Sequence, residues 1–150
     1  MKARDIMTSD VEVVTPNDPV SRAAELMRDA NVGIIPVVED TSSMRLRGVI
    51  TDRDIAVRHV AERHTQECRV GDHMTADRID TVRPDSDLDE VVRVMERDQI
   101  RRVPVVEDGQ RLVGIIAQAD LAREAPAERV GELVERLSEP GGTAPGQMRR

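Results

Sequence analysis

Residues 34–54 read IIPVVEDTSSMRLRGVITDRD, and residues 102–120 read RVPVVEDGQRLVGIIAQAD. Both stretches run from an apolar strand with a central proline, through a polar turn, into a second strand marked R-L-x-G. Both then reach an aspartate just past the second strand. Working outward, each is preceded by an amphipathic run that ends in Met27 or Met95, and before that by Pro16 or Pro84. Farther out lies D-x-M-T, at residues 5–8 and again at 72–75. The same punctuation in the same order identifies a duplication, and self-similarity of this period decides the architecture.

Each copy reads as βαββα. In the first, residues 11–14 alternate into a short strand that Pro16 ends. Asp18 is placed to cap a helix with Pro19 in its first turn, where the missing N–H is harmless. Val20, Ala23, Ala24 and Met27 mark one helical face. In the second copy Ser86 takes the cap, and Leu88, Val91, Val92 and Met95 form the stripe. Strands follow at 34–38 and 103–106. Their prolines, Pro36 and Pro104, cannot donate to a ladder and so point to edges or strand starts. Partner strands at 48–51 and 113–117 lead into helices expected over 52–64 and 118–124. One copy leaves an apolar sheet face uncovered, so two are expected to pack together. The expected class is α/β of the α+β type, two βαββα repeats about a pseudo-twofold axis through their sheets. The expected boundaries are repeat 1 at 1–66 and repeat 2 at 67–125, then an amphipathic helix at 126–138 and a disordered tail at 139–150.

Composition narrows the function. The chain has 150 residues, a formal charge of −7 and no Phe, Tyr or Trp. An acidic protein without aromatic rings is a poor nucleic-acid binder, because it lacks both the basic face and the stacking platform. No run approaches the length of a membrane span, and residues 1–11 carry no apolar targeting core. The single cysteine, Cys68, forbids an internal disulfide and fits a reducing compartment, so a cytoplasmic location is expected. No Ser–His–Asp or Cys–His order and no paired catalytic carboxylates stand out, so the chain is not expected to be an enzyme. His59, His64, Cys68 and His73 are all metal-ligand types. On an ordinary helix, however, His59 and His64 point to different faces. No metal is therefore expected, and the four read as solvated connector residues.

The doubled P-V-V-E-D strands and the G-V-I-T-D-R-D-I run at 48–55 resemble tandem CBS-domain proteins, named after the regulatory domain of cystathionine β-synthase. The resemblance covers residues 3–124 and is greatest to stand-alone, two-repeat bacterial members. It implies a flat module, often dimerised, that binds AMP, ADP, ATP or S-adenosylmethionine between its repeats. Such a ligand would be regulatory, with no cofactor required. A homodimer and an unidentified protein effector are the partners so implied.

The resemblance directs attention to the two strand-to-helix junctions. A helix start offers free N–H groups and a positive dipole end to phosphate. Thr51 would then serve phosphate and Asp54 a ribose diol, with Arg53 between them. Thr51-x-x-Asp54 is also a capping box, and that reading stands beside the first. In the second copy Ala117 lacks the hydroxyl while Asp120 remains, and Arg101 or Arg102 could supply the phosphate contact instead. The two sites are therefore expected to differ. An adenine slot would be aliphatic, from Val32 and Ile34 in one site and Ile100 and Val103 in the other. The resemblance also brings Thr75 and Ala76 to the Asp54 site, and Thr8 and Ser9 to the Asp120 site. The alternative function is a ligand-free interaction protein that acts through its helices.

Overall fold

The computed structural model describes residues 1–64, 66–77 and 79–124, together with positions 128, 131 and 135. In chain order the elements are α1 (Ala3–Ile6), α2 (Val20–Ala30), β1 (Ile34–Val38), β2 (Leu46–Thr51) and α3 (Asp52–Asp54). A π-helical segment (Ile55–Val60) continues α3, followed by α4 (Val70–His73), α5 (Leu88–Asp98), β3 (Arg102–Glu107), β4 (Arg111–Ala117) and α6 (Gln118–Glu124). Of the expected helix at 126–138 and the tail at 139–150, only the three single positions lie within the described residues, and these are helical.

The chain divides into two compact units that cut across the sequence repeats. One, the Asp54 unit, holds Glu12–Ile79 with Asp108–Leu112; the other, the Asp120 unit, holds Met1–Val11, Asp80–Glu107 and the described residues from Val113 onward. Each unit thus takes the D-x-M-T lead of the other repeat. In the Asp54 unit β1 and β2 pair antiparallel, with Ile35 opposite Ile50 and Pro36 opposite Val49. Val14 adds a parallel bridge to Val37, and Thr75 an antiparallel bridge to Val49. The Asp120 unit repeats the plan, with β3 beside β4, Val82 bridging Val105 and Thr8 bridging Ile115.

The expected strand at 11–14 shrinks to the single bridge at Val14. The prolines sit mid-strand rather than at strand starts, each on a strand with a single ladder partner, the edge of a two-stranded sheet. Val49 turns its N–H and C=O to Thr75, at 2.9 and 2.8 Å, so it exchanges no hydrogen bond with Pro36. On the other side Val14 N donates to Pro36 O (3.1 Å) and Val38 N donates to Val14 O (2.8 Å). A missing N–H at position 36 interrupts neither the ladder nor the bridge. Pro104 is placed alike, accepting from Val82 N at 3.1 Å.

The helix caps lie one residue later than expected. Helix α2 starts after Pro19, and the Asp18 carboxylate instead accepts from Thr15 N at 2.8 Å. Helix α5 is capped by Asp87, which accepts from Glu90 N at 3.0 Å, while Ser86 Oγ accepts from Arg83 N at 2.9 Å. Both displaced residues brace the turn before the helix. The buried face of α2 is Val20, Ala23, Leu26 and Met27, with Ala24 exposed; that of α5 includes all four expected residues and Val94. These faces close one aliphatic core in each unit, around Ile35, Val37 and Ile50 and around Val103, Val105 and Ile116. Each such side chain contributes about 1.5–3 kcal/mol on burial, so Val, Ile, Leu and Met suffice without aromatics.

Glycine makes the lead-to-sheet contact possible. A Cβ at Gly48 would stand 2.5 Å from the Thr75 carbonyl oxygen. The lead can therefore lie against β2 only over a bare backbone, and this sets Thr75 beside the helix that follows.

Candidate functional site

The Asp54 junction closes on itself. Thr51 Oγ1 accepts from Asp54 N at 3.0 Å, and Asp54 Oδ2 accepts from Thr51 N at 3.0 Å, a complete capping box. Thr75 Oγ1 donates to both oxygens of Asp54, at 3.1 and 3.2 Å. Arg58 Nε lies 3.8 Å from Asp54 Oδ1. The Asp54 residue is 1% exposed. The other first-turn amides are also taken: Asp52 N donates to Gly33 O (2.9 Å) and Arg53 N to Asp52 Oδ1 (2.8 Å). Asp52 has thus placed a carboxylate where an anion would meet this helix start. Arg53 is exposed.

The Asp120 junction keeps the frame and loses the seal. Asp120 Oδ2 accepts from Ala117 N at 2.7 Å, and Oδ1 accepts from Arg123 at 2.9 Å. No side chain among the described residues caps the Ala119 or Asp120 amide. Gln118 N donates to Arg101 O at 2.8 Å, the counterpart of Asp52 N to Gly33 O. Arg101 therefore stands where Gly33 stands, and Gln118 where Asp52 stands. Its guanidinium is exposed and makes no hydrogen bond or ion pair among the described residues. At these two equivalent positions the Asp54 unit carries one negative charge and the Asp120 unit one positive charge.

The other expected residues divide. Thr75 reaches Asp54 through its side chain, while Ala76 is exposed, its Cα 3.2 Å from the Cβ position of Gly48. Thr8 joins β4 through its backbone, exchanging bonds of 2.9 and 3.0 Å with Ile115, and Ser9 is exposed beyond it. Val32 and Ile100 are half-buried, and Ile34 is buried opposite Thr51. Val103 is not at a comparable place: it is fully buried in the core, and the half-buried Arg102 is the counterpart of Ile34. Sequence reasoning missed Arg58 and Arg123. Their spacings of four and three residues from the aspartates, on helices, were the available signal.

The connector residues depart from their expectation in two respects: His59 and His64 do not face apart, and His73 is not solvated, while His64 is exposed as expected. His64 N donates to His59 O at 3.1 Å and Ala61 N to Ala56 O at 2.8 Å, each across five residues. This wide π-type winding stacks positions five apart, so His59 and His64 share a face, with ring centroids 5.7 Å apart. His59 Nδ1 lies 3.3 Å from His73 Nε2, and His64 Nδ1 lies 3.3 Å from Cys68 Sγ. One ligand atom from each of the four lies within 4.8 Å of all the others. His73 is buried at 4% exposure rather than solvated. Burial, then the positive charge of His59 and His64 when protonated, holds its imidazole below the ordinary histidine range, which keeps a lone pair available.

Comparison with known proteins places this arrangement. A family profile described as the CBS domain matches residues 3–59 and again 70–127. Hypoxic response protein 1 of Mycobacterium tuberculosis is 35% identical over 138 residues, 92% of this chain and 94% of that one. A crystal structure of Hypoxic Response Protein I with two coordinated zinc ions superposes with a TM-score of 0.74 at 36% identity, covering 84% of this chain and 100% of that one. The CBS domain pair of protein MJ0100, in complex with 5′-methylthioadenosine and S-adenosyl-L-methionine, gives 0.68 at 29% identity, covering 82% and 94%. The protein CBSX2, in complex with AMP, gives 0.70 at 26% identity, covering 83% and 95%. No helix among the described residues is long and apolar enough to cross a membrane. With two matched copies, each ending its second strand in a helix with a buried aspartate, the chain belongs to the CBS-domain family.

Proposed function

We propose that the chain is a non-enzymatic regulatory module that binds adenosyl ligands at its two strand-to-helix junctions, each unit supplying one site. The observation that carries this reading is the pair of buried aspartates, Asp54 and Asp120, held at equivalent junctions by the backbone N–H three residues before them. An ionised carboxylate is acceptor-only and suits a ribose diol. The AMP, S-adenosylmethionine and 5′-methylthioadenosine complexes of related CBS pairs support the ligand class.

The polar differences assign the sites. The Asp120 junction, with uncapped amides and Arg101 beside them, suits a 5′-phosphate, and AMP is its expected ligand. The Asp54 junction already holds the Asp52 carboxylate at that position. It suits an adenosyl ligand without phosphate there, such as 5′-methylthioadenosine or S-adenosylmethionine. Bound ligand would act by favouring one arrangement of the protein over another, read by a second copy or by a protein effector. Calorimetric titration with AMP, ADP, ATP, S-adenosylmethionine and 5′-methylthioadenosine tests the reading. AMP binding that disappears in Asp120→Ala supports it; silence across the panel favours the ligand-free interaction protein.

A second reading follows from the histidine–cysteine cluster: a zinc site formed by His59, His64, Cys68 and His73. Three imidazoles and one thiolate are a zinc-type donor set, and tetrahedral Zn–N and Zn–S lengths of about 2.0–2.3 Å require donors some 3.3–3.6 Å apart. The two nearest donor pairs stand at 3.3 Å. The coordinated zinc of the related hypoxic response protein agrees with this reading. Cobalt substitution checks it: tetrahedral d–d bands with a thiolate charge-transfer band that vanishes in Cys68→Ser are expected. Stoichiometric binding unaltered in that variant would refute the assigned ligands.

A further inference from the structure

We propose that a metal ion held by His59, His64, Cys68 and His73 locks the Asp54 junction shut, so that metal and adenosyl ligand oppose each other within the Asp54 unit. This rests on both the zinc and the adenosyl readings above. The two sites are joined by very short lengths of chain. His59 follows Arg58, and Thr75 lies two residues beyond His73. Arg58 Nη1 donates to His73 O at 3.3 Å and to Met74 O at 3.2 Å, while its Nε faces Asp54 Oδ1 at 3.8 Å. Thr75 Oγ1 donates to both Asp54 oxygens. Two of the groups that hold the aspartate, Arg58 and Thr75, thus lie one and two residues along the chain from metal ligands.

A carboxylate has about four lone-pair directions. Thr51 N and Thr75 Oγ1 take Oδ2, and Thr75 and Arg58 face Oδ1. With Asp54 at 1% exposure, a ribose diol reaches it only when Thr75 withdraws. Withdrawal carries the lead away from β2, and His73 with it. Without metal, the histidine link that resists this movement is the 3.3 Å contact between His59 Nδ1 and His73 Nε2. Metal would replace that contact with two coordination bonds, and His64 and Cys68 would anchor the same ion from the connector. The two arrangements, Thr75 on Asp54 or ribose on Asp54, are then biased in opposite directions by the two ligands. By linkage the antagonism is reciprocal, and couplings of this kind are typically about 5- to 150-fold.

The test uses full-length protein in the Asp120→Ala background, stripped with chelator or loaded with one equivalent of zinc, and titrated with 5′-methylthioadenosine. Affinity at least tenfold weaker in the loaded protein is expected. His64→Ala, which removes a metal ligand and touches nothing at Asp54, should titrate like stripped protein even with zinc present. Amide exchange supplies a ligand-independent readout: zinc should slow exchange at Thr75 and Asp54. Equal or tighter affinity with zinc bound, or unchanged exchange at those amides, overturns the coupling while leaving both parent readings standing. Failure to take up zinc refutes the zinc reading, and silence toward 5′-methylthioadenosine in both forms refutes the adenosyl reading at Asp54; either result also overturns the coupling.

Discussion

The two strand-to-helix junctions share a backbone and differ in who satisfies it. At Asp54 the hydroxyl of Thr51, the carboxylate of Asp52 and the hydroxyl of Thr75 meet the polar groups around the turn. At Asp120 the corresponding cap is Ala117, the corresponding carboxylate is Gln118, and an arginine stands where glycine stood. Duplication preserved the strand, the turn and the aspartate, while the polar groups that either seal or open the helix start diverged. A fold held by aliphatic packing tolerates this, because capping groups contribute only about 1 kcal/mol each. One junction now resembles a structural joint and the other a receptor for an anion.

The largest expected contrast is in stability. In Gly48→Ala the new Cβ meets the Thr75 backbone oxygen at 2.5 Å, and backbone cannot swing aside. In Gly114→Ala it meets Met7 Sδ at 2.6 Å, the far end of a flexible side chain, and Thr8 O at 3.0 Å. Overpacking costs about 1–3 kcal/mol, and the first variant belongs at the upper end and the second at the lower. At roughly 2–4 °C per kcal/mol for a chain of this size, Gly48→Ala should lower Tm by about 6–10 °C and Gly114→Ala by about 2–4 °C. Equal losses in thermal unfolding would show that the two leads are seated alike and would remove the basis of the comparison.

The aspartates themselves should separate structure from binding. Asp54→Ala strands Thr51 N and Thr75 Oγ1 in a buried place and is expected to cost about 2–3 kcal/mol. Asp120→Ala frees one backbone donor, Ala117 N, and the exposed Arg123, so about 1 kcal/mol is expected. For AMP the order reverses, with at least a tenfold loss in Asp120→Ala and little change in Asp54→Ala. Arg101→Ala should weaken AMP about tenfold and leave 5′-methylthioadenosine alone, since the guanidinium addresses only phosphate. Calorimetry on the three variants checks this, and an Arg101→Ala protein with unaltered AMP affinity would return that arginine to the solvated surface.

Much of this was legible in the chain because periodicity and proline spacing report the sheet and helix faces directly. The strand at Ile34–Val38 and the α5 stripe from Leu88 to Met95 needed nothing more. The leads were harder: Thr8 and Thr75 each join the sheet of the other repeat, and only the family resemblance placed them. Pro36 pointed to an edge strand, as found, but its place in the middle of that strand depends on which way Val49 faces, a fact of register rather than of local sequence. The histidines misled for a similar reason. Five-residue spacing separates side chains on an α-helix and stacks them on a π-helix, and no local propensity announces the wider turn. The arginine at 101, where the first repeat has Gly33, could be seen in the sequence, but the juxtaposition of these two positions with Gln118 and Asp52 required the two backbone hydrogen bonds.

The smallest expected effect decides between the two meanings of the Thr51 hydroxyl. As a cap it accepts from Asp54 N, so Thr51→Ala should cost about 1 kcal/mol, and Ala117→Thr in the other unit should gain up to about 1 kcal/mol by closing the same bond to Asp120 N. A hydroxyl that takes the Asp120 amide also withdraws it from phosphate. Ala117→Thr should therefore raise Tm by about 2–3 °C and weaken AMP severalfold, stability and affinity moving in opposite directions. If the added hydroxyl instead serves phosphate, as the family resemblance implies for Thr51, affinity rises with or without a change in Tm. Measuring both quantities on this one variant separates a joint that competes with the ligand from a joint that helps to hold it.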